Sequence, residues 1–348
     1  MVVNWNGKHL LGDCLSGLQG QTYPAGEIIL VDNNSTDGSV EWVQKAHSSV
    51  KIVQLKENRG FAGGNNAGIA ATTGAFIALI NTDAVADPRW LESLYAVIRG
   101  RPDVGMVASK MIQGRRPNLI DSTGICLDVT AVAWDRRVGE EAESVDSVLE
   151  IFGPCAGAAL YRRKLFDDVG GFDEDFFMYL EDVDLAWRAR LAGWRCVLQP
   201  TAVVRHLHSE SAVSNSPFQL FHLARNRVWA ILKNYPAPTV YLYLPAIVLF
   251  DLGSSVAAVV RPRPGVTSRA AKFATIRGKF AALRELPLYL RKRRRIQCQS
   301  RVPPWRVAEE FQPIVWLRNP LGFRDQRDRA SLVQSFRGDR NSPIDDSP

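Results

Sequence analysis

Cysteine is scarce and unclustered. Cys14, Cys126, Cys155, Cys196 and Cys298 are spread over 348 positions without any CxxC spacing, which argues against a zinc knuckle or a disulfide scaffold and predicts free thiols in a reducing compartment. The opening "MVVNWNG" has neither a basic stretch nor an apolar core of leader length, so no secretory signal is expected. There is no GxGxxG: the glycine-rich run "ENRGFAGGNNAGI" is spaced differently, and no acid closes a following strand at the interval a dinucleotide fold needs. Long apolar runs are missing except at residues 239–260, where Pro245 and Asp251 interrupt. Those interruptions weigh against a true membrane span. Acids almost vanish from residues 261–295, where twelve Lys or Arg accompany the single Glu285. An apolar segment followed by a basic one suits an anionic membrane surface, each basic side chain contributing about 1 kcal/mol near the headgroups; a buried core helix with a solvated basic helix beside it is the plain alternative. No nucleic-acid partner is expected.

What is present is a repeating order of strand and helix over the first 115 residues. "IILV", "KIVQL", "FIALI" and "VGMVA" are short aliphatic runs, and between them Leu11, Leu15 and Leu18, then Trp90, Leu91, Leu94 and Val97, recur at helical spacing. Such alternation predicts an α/β fold with a mostly parallel sheet covered on both faces, whose ligands gather at the carboxyl ends of the strands. Residues 121–147 read as hairpins or loops. "EDVDLAWRARLAGW" reads as a helix stopped at Gly193, with Glu181, Asp182 and Asp184 in a first turn that favours negative charge and keeps Asp182 ionised. A helix follows in "FQLFHLARNRVWAILKNY", and the end of the proline-containing tail is predicted to be disordered.

Five clusters are candidates for chemistry, and each also has a plain structural explanation. Asp32, Asn33, Asn34 and Asp37 in "VDNNSTDGS" are turn and cap formers. Gly60 and Gly64, with Asn58 and Asn65, allow a ligand close to the backbone or simply make a tight turn, and a helix starting near Gly64 would offer free N–H groups to an anion. Asp83, in "NTDA", sits where a strand-end carboxylate holds a cation against phosphates. Glu181, Asp182 and Asp184 form the fourth cluster, although Arg188 stands four residues after Asp184 at ion-pair spacing. His206 and His208 follow an apolar run in "VVRHLHSES".

In this order the motifs "VVNWNG", "LVDNNSTDGS", "NRGFAGGNNAGI", "NTDA", "GGFDEDFFMYLEDVDLAWRARLAGW" and "LARNRVWAILKNYP" resemble the nucleotide-sugar glycosyltransferases of family 2, and most closely their rhamnosyltransferase-like branch. The resemblance implies a GT-A fold: a Rossmann-like, mostly parallel mixed sheet flanked by helices, with a C-terminal helical extension. It implies a catalytic domain over residues 1–215, a helical, basic, membrane-surface region over 216–300, and a tail over 301–348. Asp32 would contact the donor base, with Asn34, Asn58, Gly60, Gly64, Asn65 and Asn81 around the nucleotide sugar. Asp83 would carry Mg²⁺ or Mn²⁺ and the diphosphate. Asn81 departs from the acidic form of that triplet, leaving Asp83 alone in the role. His206 would be the metal-side histidine, and Asp182 the base on the acceptor hydroxyl, with Glu181 as its neighbour. The implied activity is inverting sugar transfer, with rhamnose the first sugar to consider, onto a lipid-linked or cell-surface glycan at the cytoplasmic face of a membrane. A silent nucleotide-sugar binding protein of the same fold is the alternative.

Overall fold

The computed structural model describes residues 1–207, 215–260 and 268–313. Strands β1 (Val2–Asn4), β2 (Ile29–Asp32) and β3 (Lys51–Gln54) pair in parallel, connected through helices α1 (Lys8–Gln19) and α2 (Ser39–Ala46). Leu11, Leu15 and Leu18 of α1 are buried against Val2 and Leu30, which is why their spacing was legible. Helix α3 (Gly60–Ala71) begins four residues earlier than expected. Gly60 opens it at φ +67°, and a Cβ there would overlap the carbonyl oxygen of Phe177, so both conformation and space demand glycine.

The chain then supplies β4 (Phe76–Ile80), β5 (Ala84–Ala86), α4 (Trp90–Ile98), β6 (Val104–Gln113), β7 (Arg116–Ser122), β8 (Ile125–Leu127), β9 (Ala133–Asp135), β10 (Leu149–Ile151), β11 (Ala158–Arg162), α5 (Arg163–Val169), α6 (Glu181–Leu191) and β12 (Arg195–His206). The larger sheet runs β10-β12-β6-β11-β4, with β5 beside β12 and β7 beside β6. β6 and β12 are parallel and the other pairs antiparallel. Ile80 donates its N–H to the Met1 carbonyl, so the two sheets meet where β4 passes β1. The expected mixed sheet with flanking helices is present.

Among the described residues, five helices form the C-terminal extension: α7 (Pro217–Asn234), α8 (Ala237–Val260), α9 (Arg269–Arg284), α10 (Leu286–Cys298) and α11 (Pro304–Ala308). Trp229 of α7 stacks on Tyr289 of α10 at 4.5 Å between centroids. The basic run of α10 is only partly outward-facing. Lys292 reaches Asp173 at 2.6 Å and Asp175 at 2.7 Å, and Arg293 donates to the Leu232 carbonyl. Beyond α11, Phe311 is buried between Trp187 and Tyr235, 5.2 and 5.5 Å between centroids. His208 and residues 314–348 lie outside the described residues.

Candidate active site

The end of β2 and the start of α3 are tied together by amide side chains. Asp32 is buried and accepts from Asn4 Nδ2 at 3.2 Å and from the Ser35 N–H at 3.0 Å. Asn33 accepts from the Arg59 N–H and donates to the Gly60 carbonyl at 2.8 Å. Asn34 follows with φ +64°, and Asn58 accepts from the Gly60 N–H at 2.9 Å. Asp32, Asn34, Asn58 and Gly60 therefore share one set of loop ends. Gly64 borders them, its bare face making room for Val3 and for Asn33 Nδ2, whereas Asn65 is buried and donates back to the Phe61 carbonyl within α3.

Asp83 and His206, 123 residues apart, are brought together by sheet register. β5 pairs with β12 so that Ala84 lies opposite His206, which places Asp83 Oδ1 at 3.2 Å from His206 Nε2. The other ring nitrogen, Nδ1, is 2.7 Å from Asp121 Oδ2 at the end of β7. Burial pulls the imidazole pKa down, but the hydrogen bonds and charges of Asp121 and Asp83 outweigh it and raise it to about 10. Asp135 belongs to the same cluster. Burial and then the neighbouring Asp121 raise its carboxyl to about 7, with Asp182 adding to the rise and His206 opposing it. Neither Asp121 nor Asp135 carries a motif in the sequence; only the pairing of strands reveals them.

On the other side of a short segment lies α6. Asn81 donates its N–H to the Gly157 carbonyl at 2.9 Å, and Asp182 Oδ2 accepts the Ala156 N–H at 3.3 Å, so the turn carrying Asp83 and the helix carrying Asp182 flank the same three residues. Asp182 is partly exposed and Glu181 buried. The helix start does not hold Asp182 low: burial raises its pKa, against backbone donors that lower it. Glu181 is pushed well above its ordinary value by burial and by the adjacent Asp182 charge. Asp184 is wholly structural, bonded to Arg188 at 2.9 Å, Lys233 at 2.9 Å and Asn234 at 2.8 Å.

The approach to α6 is strained. Phe177, Tyr179 and Leu180 all adopt positive φ, between 63° and 72°, a conformation costing non-glycine residues of order 1–3 kcal/mol each. Buried Asn226 of α7 holds them there, its Nδ2 reaching the carbonyls of Phe176, Met178 and Tyr179 at 2.7 to 3.0 Å. Asn226→Ala should lower stability by about 2 kcal/mol, because buried carbonyls lose their donor. Asn226→Asp, which turns a charge towards the same oxygens, should cost more. Urea unfolding of both variants checks this; an Asp variant as stable as the original would mean that the amide donor is not the hold.

The described arrangement brings together loops at strand ends, a carboxylate–histidine pair beside them, and a helix-start carboxylate across a short segment. Residues 1–170, just under half of the chain, match the model of glycosyl transferase family 2. Among curated relatives, the chain is 32% identical over 187 residues to the pre-mycofactocin glycosyltransferase of Mycobacterium tuberculosis, covering 52% of this chain and 37% of that protein. It is 29% identical over 221 residues to the N-acetylglucosaminyl-diphospho-decaprenol L-rhamnosyltransferase of the same organism, 57% of this chain and 70% of that one. The first three curated matches are covered over only 16% to 37% of their own length. GalNAc-T7, solved with UDP, GalNAc and Mn²⁺, superposes with a TM-score of 0.58 at 14% identity, over 82% of this chain and 56% of that one; the likeness is one of fold.

Proposed function

We propose that the protein is an inverting, divalent-metal-dependent glycosyltransferase that moves a sugar from a nucleotide diphosphate donor to a hydroxyl of a lipid-linked or cell-surface glycan, at the cytoplasmic face of a membrane. The observation that carries this reading is that both candidate segments touch one short stretch: Asn81, two residues before Asp83, donates to the Gly157 carbonyl, and Asp182 accepts the Ala156 N–H. Inverting transfer needs a cation at the leaving diphosphate and a base at the incoming hydroxyl, on opposite sides of the sugar.

The residues suit a cation that also takes ligands from its substrate. Among the described residues no group of three or more His, Cys, Asp or Glu side chains is set to hold a metal alone, but Mg²⁺ and Mn²⁺ accept one or two protein ligands completed by phosphate oxygens and water. Asp83 and His206 Nε2, 3.2 Å apart, would hold it once His206 gives up its Nε2 proton on metal binding, and Asp121 at Nδ1 would fix the ring, as an outer partner of a metal-binding histidine does. Bound there, the cation would take up charge developing on the diphosphate. Asp32, at the end of β2, is assigned to the donor base, with Asn34, Asn58 and Gly60 beside it. Asp182 is assigned the acceptor proton. The named relative that transfers L-rhamnose to a diphospho-decaprenol acceptor makes dTDP-rhamnose the first donor to test.

Release of nucleoside diphosphate from a panel of nucleotide sugars with Mg²⁺ or Mn²⁺ tests the reading; no release from any donor in the presence of acceptor lipid would leave a silent binding protein. Asp83→Asn should remove most metal-supported turnover with the fold intact by circular dichroism. Undiminished turnover with Mg²⁺ would overturn the metal assignment.

A further inference from the structure

Helix α8 is apolar around most of its circumference yet lies at the surface. Of its 24 residues only Thr239 and Ile247 are buried. The outward positions are Tyr241, Leu242, Leu249, Leu252, Val256 and Val260, each more than half exposed. The one charged residue, Asp251, turns towards the protein: it pairs with Arg227 of α7 at 2.8 Å and Lys279 of α9 at 3.0 Å. Lys279 also reaches Ser254 and Ser255. A surface helix normally buries its apolar stripe and exposes its polar one, and an exposed apolar patch of this kind marks a contact surface.

The neighbouring helix says which surface. On α9 the exposed residues Arg269, Phe273, Arg277, Phe280 and Arg284 alternate in type and fall at i, i+4, i+8, i+11 and i+15, one stripe of the helix. Among the described residues the three arginines make no hydrogen bond or ion pair. Guanidinium groups interleaved with phenyl rings suit a layer in which anionic phosphates lie just above hydrocarbon. A protein partner would instead be expected to supply acids at fixed points.

We propose that α8 and α9 lie flat in one leaflet of an anionic phospholipid bilayer, and that α8 does not cross it. Crossing would require α8 to leave α7 and α9, exposing Asp251 to hydrocarbon and stranding Arg227 and Lys279. This inference does not depend on the proposed reaction.

The full chain should float with vesicles of phosphatidylcholine and phosphatidylglycerol in equal parts and bind vesicles of phosphatidylcholine alone about a hundred-fold more weakly. The triple variant Arg269→Gln, Arg277→Gln and Arg284→Gln should lose affinity for the anionic vesicles by about the same factor. Phe280→Ser should weaken binding to both compositions, with circular dichroism unchanged in every variant. Equal binding of the original chain to both vesicles, or full binding by the triple variant, would overturn the assignment. In a Cys298→Ser background, Ala237→Cys and Val260→Cys, at the two ends of α8, should both react with an impermeant maleimide added outside sealed vesicles. Protection of one end alone would show a crossing helix and overturn the flat placement.

Discussion

Asp182→Asn should lower sugar transfer at least a hundred-fold, the usual worth of a general base, while donor affinity measured by calorimetry stays within a few-fold. Asparagine keeps the size and the contact with the Ala156 N–H but cannot take the acceptor proton. Because burial raises the pKa of Asp182, the acid limb of the rate profile should also lie above the range of an ordinary aspartate, the base being active only once it has lost its proton. Glu181→Gln is the control. Glu181 is buried, its Oε2 has no partner among the described residues, and its pKa is held well above the ordinary value, so a neutral amide of the same shape should change the rate little. Should Glu181→Gln abolish transfer while Asp182→Asn retains it, the base stands one residue earlier; if both retain it, the helix start is only a cap.

Asp184→Ala should destabilise the fold by about 3–5 kcal/mol, the cost of removing one partner from a buried charge network. Lys233 is 2% exposed and Arg188 7%, so neither can turn to water when the carboxylate is lost. Lys233 retains Asp173, to which it donates at 2.5 Å, which keeps the loss from being larger. Urea unfolding measures it. A loss under about 1 kcal/mol would mean that the network relaxes and that α6 is fixed to α7 mainly by the Trp187–Tyr235 contact, 4.9 Å between centroids.

The sequence was most informative where one element explains itself. Leu11, Leu15 and Leu18 show the buried face of α1, and the pairing of Asp184 with Arg188 is visible at four-residue spacing because it closes within one helix. Gly60 and Gly64 looked alike in sequence, yet one opens a helix at positive φ and the other lets α3 approach β1; composition alone cannot separate a glycine needed for conformation from one needed for space. Asp121 and Asp135 were out of reach for a different reason. Their neighbours arrive from strands and helices tens of residues away, and no local periodicity records such pairing. The basic run of α10 is divided in a way its local pattern does not record: Lys292 and Arg293 make internal contacts, while Arg291, Arg294 and Arg295 are exposed.

Asn226 and Arg227 are consecutive residues of α7. One holds the strained loop that leads into Asp182, and the other holds Asp251 of α8. Two binding events would thus converge on a single peptide unit, and thermodynamic linkage then fixes how they must behave towards each other. Whatever factor a bilayer contributes to acceptor affinity, acceptor must return to bilayer affinity. Where a bilayer raises acceptor affinity, the protein resides longest on the membrane while it holds substrate, and its partition between water and lipid itself reports on occupancy of the site.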